Sequence, residues 1–253
     1  MTAAEIHPRT LLLSGFKAAL DRVNGATAVQ QALQHQPLSW PGSVDLIAIG
    51  KAAAAMAKGA EMALGGRLRR GLVITKQGHL ERVADQRFQY LESDHPVPGE
   101  ASLLAGAALL EFCQQIPEGQ GVLVCFSGGT SSLVEVLPEG LTLQALADLT
   151  RQLLGGGLDI ASMNAFRRSV SLIKGGRLAA QLEGHPVEVL LISDVPGDDP
   201  AVIGSGPLYP PEKTSTPPVL PGVDMDQFSL PALPPAAVFK QISHRVIANL
   251  EMA

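Results

Sequence analysis

Two segments of the sequence place potential anion-binding groups directly after short apolar runs. Lys51 follows the mostly apolar residues 44–50, and the stretch Phe-Ser-Gly-Gly-Thr-Ser-Ser at 126–132 ends a second apolar run. Glycines let backbone N–H groups approach a phosphate or carboxylate, and hydroxyl side chains add donors. The second segment lacks the Gly-Lys-Ser/Thr ending of a P-loop. A solvated lysine and a tight strand-to-helix turn are the alternatives. The candidate residues are Lys51, Ser127, Gly128, Gly129, Thr130 and Ser131.

A third candidate is the basic stretch at residues 164–179, which follows Asp159 in a mostly helical pattern. Charge runs of this kind usually form the solvated face of a helix. Here Gly175 and Gly176 interrupt the run, and a lysine beside two glycines again resembles an anion site. The polar and basic residues of this stretch are Asn164, Arg167, Arg168, Lys174 and Arg177.

The fourth candidate is a group of carboxylates. Asp194 ends an apolar run, and Asp198 and Asp199 follow a Pro-Gly turn. Mg²⁺ is usually held by one or two carboxylates together with substrate phosphates, so this cluster is a candidate metal site. The alternative is a turn in which Asp198 or Asp199 caps a helix. His95, before a proline, either binds substrate or caps a turn.

These groups together favour phosphoryl transfer, a reaction in which the protein mainly positions groups and stabilises charge. These groups can act together only if the fold brings them to one edge of a sheet. Short apolar runs alternate with helical patterns, which predicts an α/β protein: a Rossmann-like parallel sheet with helices on both faces. Strands are predicted at 44–50, 71–75, 122–129, 187–195 and 245–250, and helices at 8–24, 27–34, 51–64, from about 102 to 115, at 141–154 and over much of 159–182.

Composition narrows the classes of protein further. The 253 residues are 46% hydrophobic and 17% charged, which excludes a charge-rich disordered chain. A net charge of −5 and an aromatic content of 4% weigh against a nucleic-acid binder. Cys113 and Cys125 lie among apolar neighbours and are predicted to be buried reduced thiols, as in a cytoplasmic protein. Neither a signal peptide nor an apolar run of about 18 residues is found, so no membrane segment is expected.

Two further features concern the organisation of the chain. Nine prolines from 207 to 235 predict a long irregular excursion over the surface. The sequence stops just after the fifth predicted strand, where a further helix is normally expected. We therefore interpret residues 1–253 as one α/β domain that is cut short at its C-terminal end.

Five segments, in the same order and at similar spacing, resemble the glycerate 2-kinases that carry a C-terminal MOFRL domain, some of which are labelled hydroxypyruvate reductase. The resemblance covers nearly the whole chain. It is carried by Ala-Ile-Gly-Lys and the alanines after it at 48–57, Ser-Asp-His-Pro-Val-Pro-Gly at 93–99, residues 126–133, residues 164–179 and the stretch 191–207.

The resemblance implies transfer of a phosphoryl group from ATP, with Mg²⁺, to the 2-hydroxyl of D-glycerate. It implies that Lys51 neutralises phosphate charge and that Ser127, Gly128, Gly129, Thr130 and Ser131 form an anion-binding loop. Asn164, Arg167 and Lys174 then bind carboxylate or phosphate, and Asp194, supported by Asp198 or Asp199, holds Mg²⁺ or orients the hydroxyl.

Three departures from the family pattern carry expectations of their own. Thr130 replaces a glycine, and a β-branched residue resists positive φ, so the loop is expected to shift. Ser169 replaces a histidine, which removes a possible substrate contact. The family's second domain, which supplies part of the cleft, is expected to be missing. The chain is then a fragment, a truncated frame, or one subunit whose partner is a second copy or the missing C-terminal domain.

Two other functions stay open at this stage. A hydroxypyruvate reductase would use a dinucleotide, but no GxGxxG follows a strand with an acidic residue about 20 positions on. A domain that binds an anion or a partner without turnover is the second alternative.

Overall fold

The strands form where β-branched and aliphatic residues run together, and they assemble into one parallel sheet. The computed structural model describes residues 7–22, 24–80, 86–155, 160–211, 232–249 and 251–252. The strand order is β3-β2-β1-β4-β5-β6, and every neighbouring pair is parallel. The strands are β1 Val44–Ile49, β2 Leu68–Lys76, β3 Phe88–Ser93, β4 Gly121–Phe126, β5 Val187–Ile192 and β6 Ile242–Ala248.

Helices cover both faces of the sheet, because the strands are apolar on both sides. On one face, α4 and α8 pack against side chains such as Ile47, Val124 and Val189. On the other face, α2 and the alanine-rich α3 pack against Leu46 and Leu123. The predicted α/β fold is therefore confirmed. The helices are α1 Pro8–Arg22, α2 Gly25–His35, α3 Ala53–Leu64, α4 Glu100–Gln114, α5 Thr130–Leu133, α6 Leu143–Gly155, α7 Ile160–Ser169 and α8 Arg177–Gln181, with 3-10 turns at Gly65–Arg67, Ile203–Ser205 and Ala236–Phe239.

The strand order fixes where ligands can approach. The chain winds from β1 outward through β2 and β3, and then from β4 outward through β5 and β6 in the opposite direction. In open parallel sheets, ligands bind beyond the carboxyl ends of the strands at the point where the winding reverses. This point lies between β1 and β4, which pair directly.

The structure corrects the sequence prediction in two places. Strand β3 was not predicted, because only Phe88 and Ser93 of this edge strand are buried and its apolar signal is weak. Helix α1 is present, and apolar residues recur in it near the helical period, which predicts an amphipathic helix, but Leu11, Leu12 and Phe16 are exposed in the structure. Val23 and most of the proline-rich stretch, residues 212–231, lie outside the described residues.

The two cysteines are buried and free, as predicted. Burial raises the pKa of the Cys113 thiol to about 12, against a smaller opposing effect of Arg70, and it raises the pKa of Cys125 further. Across the described parts of the chain, no helix is both long enough and apolar enough to span a bilayer.

Candidate functional site

Two turns meet at the reversal point of the sheet. The N–H of Ser127 donates to the carbonyl of Ile49 at 3.1 Å, and the N–H of Lys51 donates to the carbonyl of Gly128 at 2.9 Å. The hydroxyl of Ser127 accepts a hydrogen bond of 3.0 Å from the N–H of Ala52, just before α3. These bonds lock the end of β1 against the end of β4, so the two turns form one rigid floor.

The hydroxyl of Thr130 forms hydrogen bonds to both turns of this floor. This buried hydroxyl lies 2.9 Å from the carbonyl oxygen of Ile49 and 2.8 Å from that of Ser127. The left-handed residue of the turn is Gly129, with a φ of 91°, while Thr130 begins the short helix α5. The steric reason for expecting Thr130 to shift the loop therefore does not apply, because the positive φ falls on Gly129.

Three side chains from three elements surround this floor. A Cβ atom placed on Gly128 would lie 2.0 Å from Oδ2 of Asp194, and one placed on Gly129 would lie 2.9 Å from Cδ2 of His95 and 3.3 Å from Cε of Lys51. Lys51 and Asp194 are exposed, and His95 is half-buried. We name Lys51, His95 and Asp194, with Gly128 and Gly129, the glycine-turn site.

Within the described part of the chain, the ammonium of Lys51 forms neither an ion pair nor a hydrogen bond. The N–H groups of Gly128 and Gly129 likewise donate to no described backbone carbonyl. An ammonium beside two free N–H groups is suited to bind a phosphate or carboxylate.

His95 stands at the boundary between the glycine turn and an open cleft of about 470 Å³. Lys76, Ser93, Asp94 and Val97 also line this cleft, beyond the ends of β2 and β3. Burial, Lys51 and Lys76 together hold the pKa of His95 below its usual value, against a smaller opposing effect of Asp194. The imidazole is therefore kept neutral at neutral pH, in a region of positive potential. The sequence left His95 undecided, because its neighbours come from distant segments.

The three predicted metal-binding carboxylates have different surroundings. Asp194 faces the glycine turn. Asp198 accepts a hydrogen bond from Asn249, and the hydroxyl of Ser193 and this amide lower its pKa. Asp199 accepts from the N–H of Ala201 at 2.9 Å, as a capping residue does. In the described ranges, no three His, Cys, Asp or Glu side chains converge to hold a metal ion, so the assignment of Asp194, supported by Asp198 or Asp199, to Mg²⁺ stays a prediction that needs phosphate oxygens as further ligands.

Lys174 lies in the core rather than at the ligand-facing surface. Its ammonium forms an ion pair with Glu135 and donates to the carbonyl of Val134 at 3.2 Å. The other carboxylate oxygen of Glu135 accepts from the hydroxyl of Ser171 at 2.6 Å. Both charged side chains are at most 3% exposed. Burial lowers the pKa of Lys174, Glu135 opposes this effect, and Arg167 adds to it. The ammonium of Lys174 is thus already paired with a carboxylate of the chain itself.

Arg167 and Asn164 lie on α7, and both are half-buried. Arg167 lines a narrow crevice with Ser131, Glu135 and Val97, and it forms no ion pair or hydrogen bond inside the described regions. Arg177, in contrast, is buried and donates to the carbonyl of Arg168 at 2.6 Å, so it stabilises the local backbone. Ser131 and Arg167 thus line the same crevice, whereas Arg177 does not line it.

Comparison with known proteins identifies the family. A family model described as "Domain of unknown function (DUF4147)" matches residues 11–226, and the chain belongs to this family. The D-glycerate 2-kinase of Thermotoga maritima is 39% identical over 207 residues, which are 82% of this chain and 49% of that protein. A protein of Agrobacterium vitis named "Putative hydroxypyruvate reductase" is 37% identical over 208 residues, 82% of this chain and 46% of that protein.

The crystal structure of glycerate kinase from Thermotoga maritima superposes with a TM-score of 0.83 at 33% identity. The match covers 96% of this chain and 59% of that one. The chain thus spans about half the length of the curated relatives it matches. The resemblance to the glycerate 2-kinase family that the sequence motifs predicted is confirmed.

Proposed function

We propose that this chain provides the phosphoryl-transfer groups of a glycerate 2-kinase. In this reaction the 2-hydroxyl oxygen of D-glycerate forms a bond to the γ-phosphorus of ATP. The bond from that phosphorus to the ADP oxygen breaks, and the hydroxyl proton leaves. The observation that carries the proposal is the convergence of Lys51, His95 and Asp194 on Gly128 and Gly129 at the reversal point of the sheet. The names of the relatives support the choice of substrate.

In this proposal, Lys51 and the two glycine N–H groups bind the phosphoryl group during transfer. Phosphoryl transfer spreads negative charge over the equatorial oxygens, and fixed positive groups stabilise this charge without reorganisation. The Cε atom of Lys51 lies 3.3 Å from the Cβ position of Gly129, and its ammonium has no partner among the described residues, so it is free to follow this charge.

Asp194 fits the binding of Mg²⁺ as a single protein carboxylate. Mg²⁺ is usually bound by one or two carboxylates together with phosphate oxygens and water. Asp194 is exposed and lies directly against Gly128, beside the proposed phosphate position. When bound, the ion neutralises phosphate charge. Asp198 and Asp199 already accept hydrogen bonds from the chain, which leaves Asp194 as the carboxylate that we assign to this role.

The acceptor binds, in this proposal, in the cleft beside His95. Lys76 is half-buried in the wall of this cleft and provides a cation for the carboxylate of glycerate. The neutral imidazole of His95 lies between the cleft and the glycine turn, where it can accept the hydroxyl proton as the new O–P bond forms.

The test is glycerate-dependent release of ADP from Mg-ATP by the purified 253-residue chain, with the product identified by ³¹P NMR. L-Glycerate and a reaction without acceptor are the controls. Formation of 2-phosphoglycerate supports the proposal. Oxidation of NADH with hydroxypyruvate, without ADP release, would instead support a reductase. A folded chain with neither activity would support a domain that only binds its ligands.

A further inference from the structure

A tight turn at residues 204–206 joins three segments that the sequence singled out separately. The N–H of Gly175 donates to the carbonyl of Ser205 at 3.0 Å, and the N–H of Gly176 donates to the carbonyl of Gly206 at 2.7 Å. The hydroxyl of Ser205 lies 2.9 Å from the hydroxyl of Ser131. The turn therefore connects the glycine pair beside Lys174 with the serine loop after β4.

The backbone at Ser205 adopts a conformation that favours glycine. Its φ is 66°, and the neighbouring Gly204 and Gly206 have φ values of 61° and 60°. A side chain in this left-handed region raises the energy of the fold, whereas glycine adopts it freely. The only group that distinguishes Ser205 from glycine is its CH₂OH, and this group is buried against Ser131.

The surroundings indicate which hydroxyl donates. Ser205 is 2% exposed, and Ser131 Oγ is the one hydrogen-bond partner of its hydroxyl in the described ranges. A buried hydroxyl almost always donates its proton to a protein acceptor. Ser131 is half-buried and lines the crevice that contains Arg167, so its own proton can reach a ligand.

We propose that Ser205 is a positioning residue that donates to Ser131 and thereby directs the Ser131 hydroxyl toward an oxyanion held beside Arg167. The ligand class is a phosphate or a carboxylate, since a hydroxyl and a guanidinium both donate to such oxygens. The inference rests on the proposed function, because Mg-ATP and D-glycerate are the two sources of such an oxyanion.

The experiment compares Ser205→Gly, Ser205→Ala, Ser131→Ala and the double variant Ser131→Ala/Ser205→Gly with the wild-type chain. Binding of Mg-ATP and of D-glycerate is measured separately by calorimetry, and the melting temperature is measured in parallel. Ser243→Ala is the matched control, because its hydroxyl bonds to the carboxylate of Glu188 on the far strands of the sheet.

Ser205→Gly is expected to melt at or above the wild-type temperature, since glycine suits the left-handed backbone, while Ser205→Ala melts lower. Both variants are expected to bind one of the two probes about tenfold more weakly, which is the effect of one lost hydrogen bond. Ser131→Ala is expected to weaken binding of the same probe at least as much, because it removes the hydroxyl that contacts the ligand. The double variant is expected to lose no more than Ser131→Ala alone, because Ser205 acts only through Ser131.

A Ser205→Gly chain that binds both probes as tightly as wild type overturns the inference, as does a double variant with additive losses. If Ser205→Gly fails to fold, the Ser131→Ala and Ser205→Ala pair still decides. Weaker binding of the same probe in both variants supports the positioning bond, and wild-type binding by Ser205→Ala, or a loss in the other probe, refutes it. A wild-type chain that binds neither probe overturns both proposals. Binding without glycerate-dependent ADP release counts against the proposed function alone.

Discussion

The carboxylate of Asp194 lies directly against the backbone of Gly128. A Cβ atom on Gly128 would be 2.0 Å from Oδ2 and 2.7 Å from Cγ of Asp194, distances that no side chain could occupy. The absence of a side chain at Gly128 thus allows the end of β5 to approach the end of β4. The proposed metal-binding carboxylate and the proposed phosphate-binding turn are placed side by side by this contact.

Gly128→Ala is therefore expected to displace Asp194 without unfolding the chain, because Asp194 is exposed and can rotate away. Glycerate-dependent ADP release should fall about a hundredfold, the usual effect of losing a positioned charge-stabilising group. The Mg²⁺ concentration for half-maximal rate should rise. Gly66→Ala is the control, since a Cβ there meets no atom within 4 Å. Wild-type activity of Gly128→Ala would show that Asp194 has no role in turnover.

Lys51→Ala should reduce turnover at least about a hundredfold and change the melting temperature little, because the side chain is exposed at the turn before α3. Lys58→Ala removes another exposed lysine, from α3 itself, and should leave turnover unchanged. Turnover and thermal melts of the two variants are measured together. A loss of stability in Lys51→Ala that accounts for its loss of activity would contradict the assignment.

The pKa of His95 depends on the charged side chains around it. Lys51→Ala and Lys76→Ala should each raise the pKa of His95, because both lysines lower it, and Asp194→Asn should lower it further. NMR titration of the imidazole measures these shifts. The fold disfavours the protonated form, so the contribution of His95 to stability decreases as the pH drops below its ordinary pKa of 6.5.

His95→Gln should flatten this part of the pH dependence when the free energy of unfolding is compared at pH 8 and pH 5. If the pKa of His95 is the same in Lys51→Ala, Lys76→Ala and Asp194→Asn as in the wild-type chain, burial alone shifts it. His95 would then not interact electrostatically with the glycine-turn site.

The positions of these groups were predictable to the extent that they follow strong local signals. Apolar runs ending in glycine or aspartate placed Lys51, Ser127 and Asp194 at strand ends, and the reversal of winding then brings those ends together. Strand β3 was missed because an edge strand buries few side chains. His95 was undecided because its neighbours come from distant segments, and it is the loop after β3 that brings it to the glycine turn.

Lys174 shows what local sequence could not predict. A lysine followed by two glycines resembles an anion site, but its partner Glu135 lies 39 positions earlier in the chain. Only the packing of the turn after α7 against the segment after α5 buries the two charges together. The same packing, and not any motif, places Ser205 against Ser131.

The ion pair of Lys174 and Glu135 provides a test of this correction. Lys174→Met leaves a carboxylate buried without its cation, so the free energy of unfolding should fall by about 3–5 kcal/mol. The double variant Lys174→Met/Glu135→Leu should recover most of this loss, because neither charge then remains buried. Urea unfolding measures both. Arg151→Met, which breaks an exposed pair with Asp148, is the control and should change stability by less than about 1 kcal/mol.

The alternative role of Lys174 makes the opposite prediction. If its ammonium bound a ligand, Lys174→Met would fold with near wild-type stability and lose affinity for Mg-ATP or D-glycerate. If Lys174 acts only in the buried pair, Lys174→Met loses stability. The double variant, which regains near wild-type stability, then binds both ligands as the wild-type chain does. Calorimetry on the double variant separates the two roles, because it removes the charge of Lys174 without leaving Glu135 unpaired.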